Sequence, residues 1–219
     1  LAARCAPAPG VEIMIAIKIC GITREADGLA AAHTGAQALG FVFYGKSPRH
    51  VTPARANELM RVLPPFITSV GLFVNATVEA VKDTLREVRL DLMQFHGDET
   101  PEYCMQFGVP FIKAVRVRPG IDLLQYARDF LHAKALLLDA YVDGTQGGTG
   151  QTFDWSLIPR NLPLPVVLSG GLTSDNVSEA VREVRPWAVD VSSGVESSKG
   201  IKDAAKIAAF ISGVRNADV

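Results

Sequence analysis

The sequence predicts an α/β fold, a single (β/α)8 TIM barrel, and three observations carry that prediction. Short apolar runs rich in Ile, Val, Leu and Phe recur eight times along 219 residues, each followed by a stretch of helical length. The connections are short, so successive strands lie parallel with right-handed helical crossovers, and the eighth strand returns beside the first. Composition adds that 48% hydrophobic and 21% charged residues suit one large core, and no linker-like stretch divides the chain.

The count opens with Ile15-Ala16-Ile17-Lys18-Ile19-Cys20-Gly21-Ile22-Thr23. Alternation sends Ala16, Lys18 and Cys20 to one face and the isoleucines at 15, 17 and 19 to the other, which suits a strand with a functional interior and a helical coat. Thr23 is expected to cap a helix that runs through Glu25, Ala26, Leu29 and Ala30 to Gly35. Further strands are expected near Leu39 to Phe43, Ile67 to Val74, Asp91 to Phe95, Phe111 to Val115, Ala135 to Asp139, Val166 to Ser169 and Ala188 to Val191. Helices are expected near Pro53 to Leu63, Thr77 to Arg86, from Thr100-Pro101 onward, Ile121 to Leu131, Asp154 to Ile158, Ser174 to Val184 and Ile201 to Val214. Tyr141 to Gln151 reads as a glycine-rich loop, and no close sequence repeat underlies the βα units.

A net charge of -1 from 22 basic and 23 acidic side chains offers no global attraction for nucleic acid or an anionic membrane. An anion must therefore be held by a local site. Cys5, Cys20 and Cys104 form no C-x-x-C pair, which points to a reducing, cytoplasmic setting rather than a disulfide framework. No apolar run reaches the length of a membrane span. Leu1 to Gly10 lacks the apolar region of a signal peptide. Residues 1–13 are expected to be a disordered tail or an expression remnant, with Met14 as the native start and residues 14–219 as the catalytic domain.

Active sites of such barrels gather at the C-terminal ends of the strands. Those positions hold Cys20, the Tyr44 to His50 loop, Asn75, His96, Arg116, Asp139, Ser169-Gly170-Gly171, and Asp190 with Ser192-Ser193-Gly194. Two glycine-bearing turns, after strands seven and eight, stand where this fold holds phosphate; their glycines let backbone N–H groups approach an anion. A single such turn would be mere chain reversal, and it is the pair that points to phosphate. The run Gly40-Phe41-Val42-Phe43-Tyr44-Gly45-Lys46-Ser47 satisfies the Walker pattern literally. Its middle is a strand-forming aromatic run, and Pro48 disfavours helix at Ser47, so nucleotide binding is not the expected reading of this run.

Arg49, in Ser47-Pro48-Arg49, offers a planar fork for a carboxylate at the barrel mouth, or else is a solvated surface arginine. Asp139 leads directly out of an apolar strand, where burial would favour the neutral form that a general acid requires; a salt-bridged aspartate is the alternative. The loop Gly144-Thr145-Gln146-Gly147-Gly148-Thr149-Gly150 that follows is placed as a lid. Cys20 alone would be a buried structural thiol, but a thiolate at a strand end is a competent base. Lys18, two residues back on the same face, would favour that thiolate and needs a partner of its own. Asp190 on the neighbouring eighth strand is the expected one. His33, His50, His96 and His132 are scattered, so no zinc site is expected. His96, at a strand end, reads first as a structural histidine, with lining the pocket as the alternative.

Taken together these motifs resemble phosphoribosylanthranilate isomerase, from about Ile15 to Ile211. The resemblance rests on Lys18-Ile19-Cys20-Gly21-Ile22-Thr23, Gly40-Phe41-Val42-Phe43-Tyr44 with Ser47-Pro48-Arg49, and Gln94-Phe95-His96-Gly97-Asp98-Glu99. It continues through Leu137-Leu138-Asp139-Ala140, Gly147-Gly148-Thr149-Gly150 with Thr152-Phe153-Asp154-Trp155, Ser169-Gly170-Gly171-Leu172, and Asp190-Val191-Ser192-Ser193-Gly194-Val195-Glu196. It implies an Amadori rearrangement in tryptophan biosynthesis, without cofactor or metal. By the same resemblance Cys20 is the general base and Asp139 the general acid. Arg49 binds the anthranilate carboxylate, Asp190 the sugar hydroxyls, and Gly170, Gly171, Ser192, Ser193 and Gly194 the phosphate, with His96 beside the substrate. The expected partner is a small phosphorylated molecule, with no nucleic acid and no membrane, bound by a monomer or homodimer.

Gly45-Lys46 and Gln151 depart from the family pattern, which bears on loop rigidity and lid charge rather than on the reaction. A phosphosugar epimerase, an indole-forming lyase and a catalytically silent phosphate-binding barrel are the rivals. The first two lack their expected metal cluster or their carboxylate and lysine constellation. The third would be expected to have lost Cys20 or Asp139.

Overall fold

Alternation in the first strand sets the architecture. In the computed structural model, which describes residues 14–140 and 152–217, β1 (Ala16–Cys20) turns Ile17 and Ile19 outward, at 1% and 0% exposure, against the helices. Ala16, Lys18 and Cys20 face the barrel axis. The pattern repeats in β2 (Ala38–Val42), β3 (Thr68–Phe73), β4 (Leu92–Phe95), β5 (Phe111–Val117), β6 (Leu136–Ala140), β7 (Val166–Leu168) and β8 (Ala188–Val191). All pair in parallel and in chain order, and β8 closes on β1 with Lys18 opposite Asp190. This is the expected barrel.

Two apolar volumes hold it together. Leu39, Phe41, Phe73, Met93 and Phe95 point outward from the strands and meet Ala56, Leu59, Val81, Val181 and Phe210 from the helices. Each fully buried side chain of this size contributes roughly 1.5–3 kcal/mol. Inside the barrel, Ala16, Leu92, Ile112, Ala114, Leu137, Val167 and Ala188 form a separate plug toward the N-terminal ends of the strands. The plug leaves only the C-terminal end of the interior for polar side chains.

The helices are α1 (Glu25–Thr34), α2 (Pro53–Arg61), α3 (Val78–Glu87), α4 (Pro101–Met105), α5 (Leu123–Asp129), α6 (Val177–Val184) and α7 (Ala204–Arg215). Thr52, Thr77 and Thr100 cap α2, α3 and α4 through their hydroxyls. Thr23 does not cap α1: its hydroxyl donates to the Gly200 carbonyl at 2.6 Å, and Arg24 is the residue before the helix. After β6 the described residues contain a single 3-10 turn, Trp155–Leu157, where a short helix was expected; Asp154 caps it by accepting from Ser156. After β8 a small hairpin, β9 (Glu196–Ser198) and β10 (Ile201–Lys202), precedes α7, so that helix starts later than its composition suggests. Asp203 accepts from Ala205 and Lys206 N–H and fixes that start. Among the described residues no helix is long and apolar enough to cross a membrane.

Candidate active site

Because side chains on β1 alternate, Lys18 lies one layer beneath Cys20. Lys18 Nζ donates to Asp190 Oδ1 at 2.8 Å, with both side chains about 95% buried, and Ser169 Oγ donates to Asp190 Oδ2 at 3.3 Å. The expected contact beneath the cysteine is therefore present. Burial disfavours the charged form of Lys18, but Asp190 and Cys20 beside it outweigh burial and hold its pKa above the ordinary value. Burial pushes the Cys20 thiol up; Lys18 and Lys202 oppose this, Asp190 adds to it, and the rise prevails. Lys18 thus pulls in the expected direction without producing a resting thiolate. Cys104, the other described cysteine, is buried away from the cavity with its thiol pushed up to about 12, also mainly by burial.

Across the barrel, β6 carries Asp139 into the same cavity that Cys20 lines. Asp139 Oδ1 accepts from the Ala140 N–H at 2.9 Å and Oδ2 lies 3.0 Å from His96 Nε2. His96 Nδ1 in turn lies 2.8 Å from Gln94 Nε2. With the Gln94 amide donating to Nδ1, the imidazole carries its proton on Nε2 and donates to Asp139. His96 lines the cavity, and its bonds hold the Asp139 carboxyl on one side. Gln94 Oε1 is buried without a partner among the described residues. Behind this row Lys113 donates to Gly97 O at 2.6 Å and Glu99 Oε2 at 3.0 Å, while Glu99 accepts from Gly97 and Asn75 N–H. This buried pair fixes the turn that follows His96.

The glycine-bearing turns after β7 and β8 also meet. A second cavity, continuous with the first through Asp139, Ser169, Asp190 and Ser192, is lined by Gly170, Gly171 and Ser193. Gly170 has φ +84, and a Cβ there would run into Ala140 N and Asp139 Oδ1. Gly194 does not line the cavity; a Cβ there would run into the Leu172 carbonyl, so this glycine lets the two turns pack together. Asn176 braces the first turn, accepting from Thr173 N–H at 2.9 Å and donating to Gly171 O at 3.0 Å.

Two sequence comparisons bear on a barrel with this mouth. Residues 17–213 match the sequence model of the family described as N-(5'phosphoribosyl)anthranilate (PRA) isomerase. Proteins named N-(5'-phosphoribosyl)anthranilate isomerase from Thiobacillus denitrificans and Nitrosospira multiformis are 63% and 58% identical over 198 and 200 residues. These alignments cover 90% and 91% of this chain and 97% and 96% of the relatives. The chain belongs to the phosphoribosylanthranilate isomerase family. It is an isomerase of tryptophan biosynthesis.

Solved isomerases of the family superpose on this barrel. The phosphoribosylanthranilate isomerase of Thermotoga maritima matches with TM-score 0.85 at 42% identity, covering 92% of this chain and 99% of that one. An isomerase solved in complex with reduced 1-(o-carboxyphenylamino)-1-deoxyribulose 5-phosphate gives 0.82 at 41%, with the same coverage. A structure of monomers generated from the dimeric Thermotoga maritima isomerase gives 0.82 at 39%, again covering 92% and 99%.

Within the isomerase barrel the expected residues divide. Cys20, Ser47, Arg49, His96, Asp139, Asp190, Gly170, Gly171, Ser192 and Ser193 line the two joined cavities. Asn75 and Arg116 do not. Asn75 accepts from Asp98 N–H at 2.7 Å, and Arg116 meets Asp98 at 3.2 Å near the outer rim. Arg49 reaches the cavity with part of its fork engaged: Nε and Nη2 donate to Glu196 at 2.7 and 2.9 Å. The Walker-like run lies partly in β2 and then turns at Tyr44 to Ser47, with no helix before Pro53, which excludes a P-loop. The lid at Gly144 to Gly150, Gln151 and the tail 1–13 lie outside the described residues. Among the described residues no group of three His, Cys, Asp or Glu side chains is arranged to hold a metal ion. Ser169, expected at a strand end, lines both cavities, whereas sequence reasoning missed Gln94 and Lys202. Gln94 was findable, because alternation places it on the same face as His96. Lys202 gave no signal, since its segment reads as helix.

Proposed function

We propose that the isomerase performs the Amadori rearrangement of N-(5'-phosphoribosyl)anthranilate to 1-(2-carboxyphenylamino)-1-deoxyribulose 5-phosphate by general acid–base catalysis. Asp139 is the acid and Cys20 the base. The observation that supports this reading is the placing of a carboxyl group on β6 and a thiol on β1 of the same cavity, next to the glycine turns. Asp139 donates a proton to the ribose ring oxygen, the C1–O bond breaks, and the nitrogen lone pair gives a protonated imine. Its positive charge acidifies the C2 proton. Cys20, having lost its own proton to solvent, takes that proton, and the electron pair moves into an enolamine. Protonation at C1 and loss of the C2 hydroxyl proton then give the ketone. Each step is proton transfer by a positioned group, so binding geometry and two side chains suffice.

The remaining roles belong to the same reading, which the cavity linings support. Gly170, Gly171, Ser192 and Ser193 receive the phosphate, with Gly194 holding the turns together. Asp190 receives sugar hydroxyls beside Ser169, and the free edge of Arg49 receives the anthranilate carboxylate. His96 holds Asp139 in place. Residues 14–219 act as one catalytic unit that needs no cofactor, as a monomer or homodimer, in the cytoplasm. The free thiols of Cys20 and Cys104 accord with that compartment. Loss of phosphoribosylanthranilate fluorescence on adding the enzyme tests the reading. Wild type should consume the signal, whereas Cys20→Ser and Asp139→Asn should bind product analogue with little turnover, and full rates in either variant would remove that residue from the mechanism.

A further inference from the structure

Arg49 is held by groups that do not line the cavity. Its Nε and Nη2 meet both oxygens of Glu196, and Glu196 Oε1 also meets Lys202 Nζ at 2.9 Å. Lys202, with a fully buried side chain, donates further to the Ser192 carbonyl at 3.0 Å and lies 3.3 Å from Ser192 Oγ. Ser192 Oγ donates in turn to the Cys20 carbonyl at 3.0 Å. Glu196 and Lys202 come from opposite strands of the hairpin after β8, where a register shift between Ile201 and Lys202 brings them opposite each other, and neither touches the space a substrate would fill.

The geometry leads us to propose that Glu196, neutralised by Lys202, is a positioning residue that turns Arg49 toward the substrate carboxylate and so sets the preference for a carboxylated aryl amine. This rests on the reading of Arg49 as the carboxylate group's partner. Two features carry it. An arginine fork has two bidentate edges, and Glu196 occupies the Nε edge, which leaves the Nη1 and Nη2 edge for a second carboxylate. Charge gives the other: Arg49 and Glu196 alone would form a neutral pair, with no net attraction for an anion. Lys202 restores one positive charge to the trio, while the nearby Lys18 and Asp190 cancel each other. The same lysine ties the Arg49 anchor to the turn at Ser192, so the carboxylate end and the phosphate end of the site share one buried support.

The test compares kcat/KM for N-(5-phosphoribosyl)anthranilate with that for the glycosylamine of aniline and ribose 5-phosphate, which lacks the carboxylate. The ratio of the two is the preference. Arg49→Ala should lower the preference by about 100-fold, since a hydrogen-bonded charge pair of about 1.5–3 kcal/mol is lost. Glu196→Gln should lower it about 10-fold, mainly through KM for the carboxylated substrate, with the aniline counterpart changed less than about 3-fold. Lys202→Met should act in the same direction, and Arg49→Ala with Glu196→Gln should be no worse than Arg49→Ala alone. Glu196→Asp, which keeps the charge, should fall between wild type and Glu196→Gln and serves if the latter fails to fold. If Arg49→Ala lowers the preference but the Glu196 variants reduce both substrates equally, Glu196 is merely structural and the proposal is overturned. If Arg49→Ala leaves the preference unchanged, it is the reading of Arg49 that fails.

Discussion

The two arcs of the barrel mouth are built from different chemistry. On one side β1 to β3 present Cys20, Val42 and Leu72, joined by Val74 and the partly buried Tyr44. On the other, β4 and β6 to β8 with their following residues present Gln94, His96, Asp139, Ser169 and Asp190, all buried and nearly all hydrogen-bonded. Both arcs stand on the same apolar plug. The difference matches the proposed placing of a substrate with an aromatic half and a phosphosugar half. Cys20, the proposed base, stands in the apolar arc, where burial holds its proton on, and Asp139, the proposed acid, stands in the polar arc, where neighbours hold its carboxyl in one orientation.

The largest test of that division removes the proposed acid and the proposed base. Asp139→Asn and Cys20→Ser should each lower kcat by about 10²–10⁴-fold, the usual weight of a positioned acid or base. Retained turnover in Cys20→Ser would mean that the base lies in the polar arc too, and the division of roles would collapse.

Lys18 is where the arcs touch, because it sits under Cys20 and bonds to Asp190. Lys18→Met leaves Asp190 buried without its cation, at a cost of about 3–5 kcal/mol in unfolding free energy. It should also raise the Cys20 pKa further, since the cation that favours the thiolate is gone. With Cys20 as the proposed base, kcat/KM rises as Cys20 ionises, so the rising limb of the pH profile should move to higher pH. An unmoved limb in a folded variant would show that Lys18 supports the barrel without tuning the thiol.

The apolar arc should respond in binding alone. Leu72→Ala removes contact area worth about 1–2 kcal/mol if an aryl ring rests there, raising KM by about 5- to 30-fold with kcat kept. A fall in kcat with constant KM would place the ring elsewhere.

Much of this was legible in the sequence, for a physical reason. Period-two alternation in β1 fixes Lys18 and Cys20 on the inner face, and strand ends of a barrel converge, so Cys20 and Asp139 are brought together by topology alone. Closure of β8 on β1 likewise made the Lys18–Asp190 pair deducible. The Walker-like run misled only as a string of letters, because its aromatic residues prefer the pleat of β2. What could not be read was the partner of the polar groups that reach across the barrel mouth or out to the hairpin. His96 meets an aspartate 43 positions away, and Arg49 a glutamate 147 away. Nor could the hairpin after β8 be foreseen, since Ile201-Lys202 continues into an alanine-rich helical stretch. Thr23 likewise carried a cap signal that the bond to Gly200 overrode.

The smallest effect concerns acid stability and the hairpin that braces the mouth. Burial works to raise the Glu196 pKa, but Arg49 and Lys202 prevail and hold it below the ordinary value of 4.5. A carboxylate with a depressed folded-state pKa contributes stability that is complete above its unfolded value and is lost as pH falls through the folded value. Between those two values the unfolded chain binds the proton that the folded chain refuses, so stability rises with pH there by at most about 1.4 kcal/mol per unit from this one group. Glu196→Gln cannot titrate. It should be less stable than wild type at neutral pH, where Arg49 and Lys202 lose their counter-charge, and its urea midpoint should fall less steeply as pH drops from 5 toward 3. Parallel curves for the two proteins would mean that Glu196 titrates normally in the fold, and that the trio at the edge of the mouth contributes geometry without charge coupling.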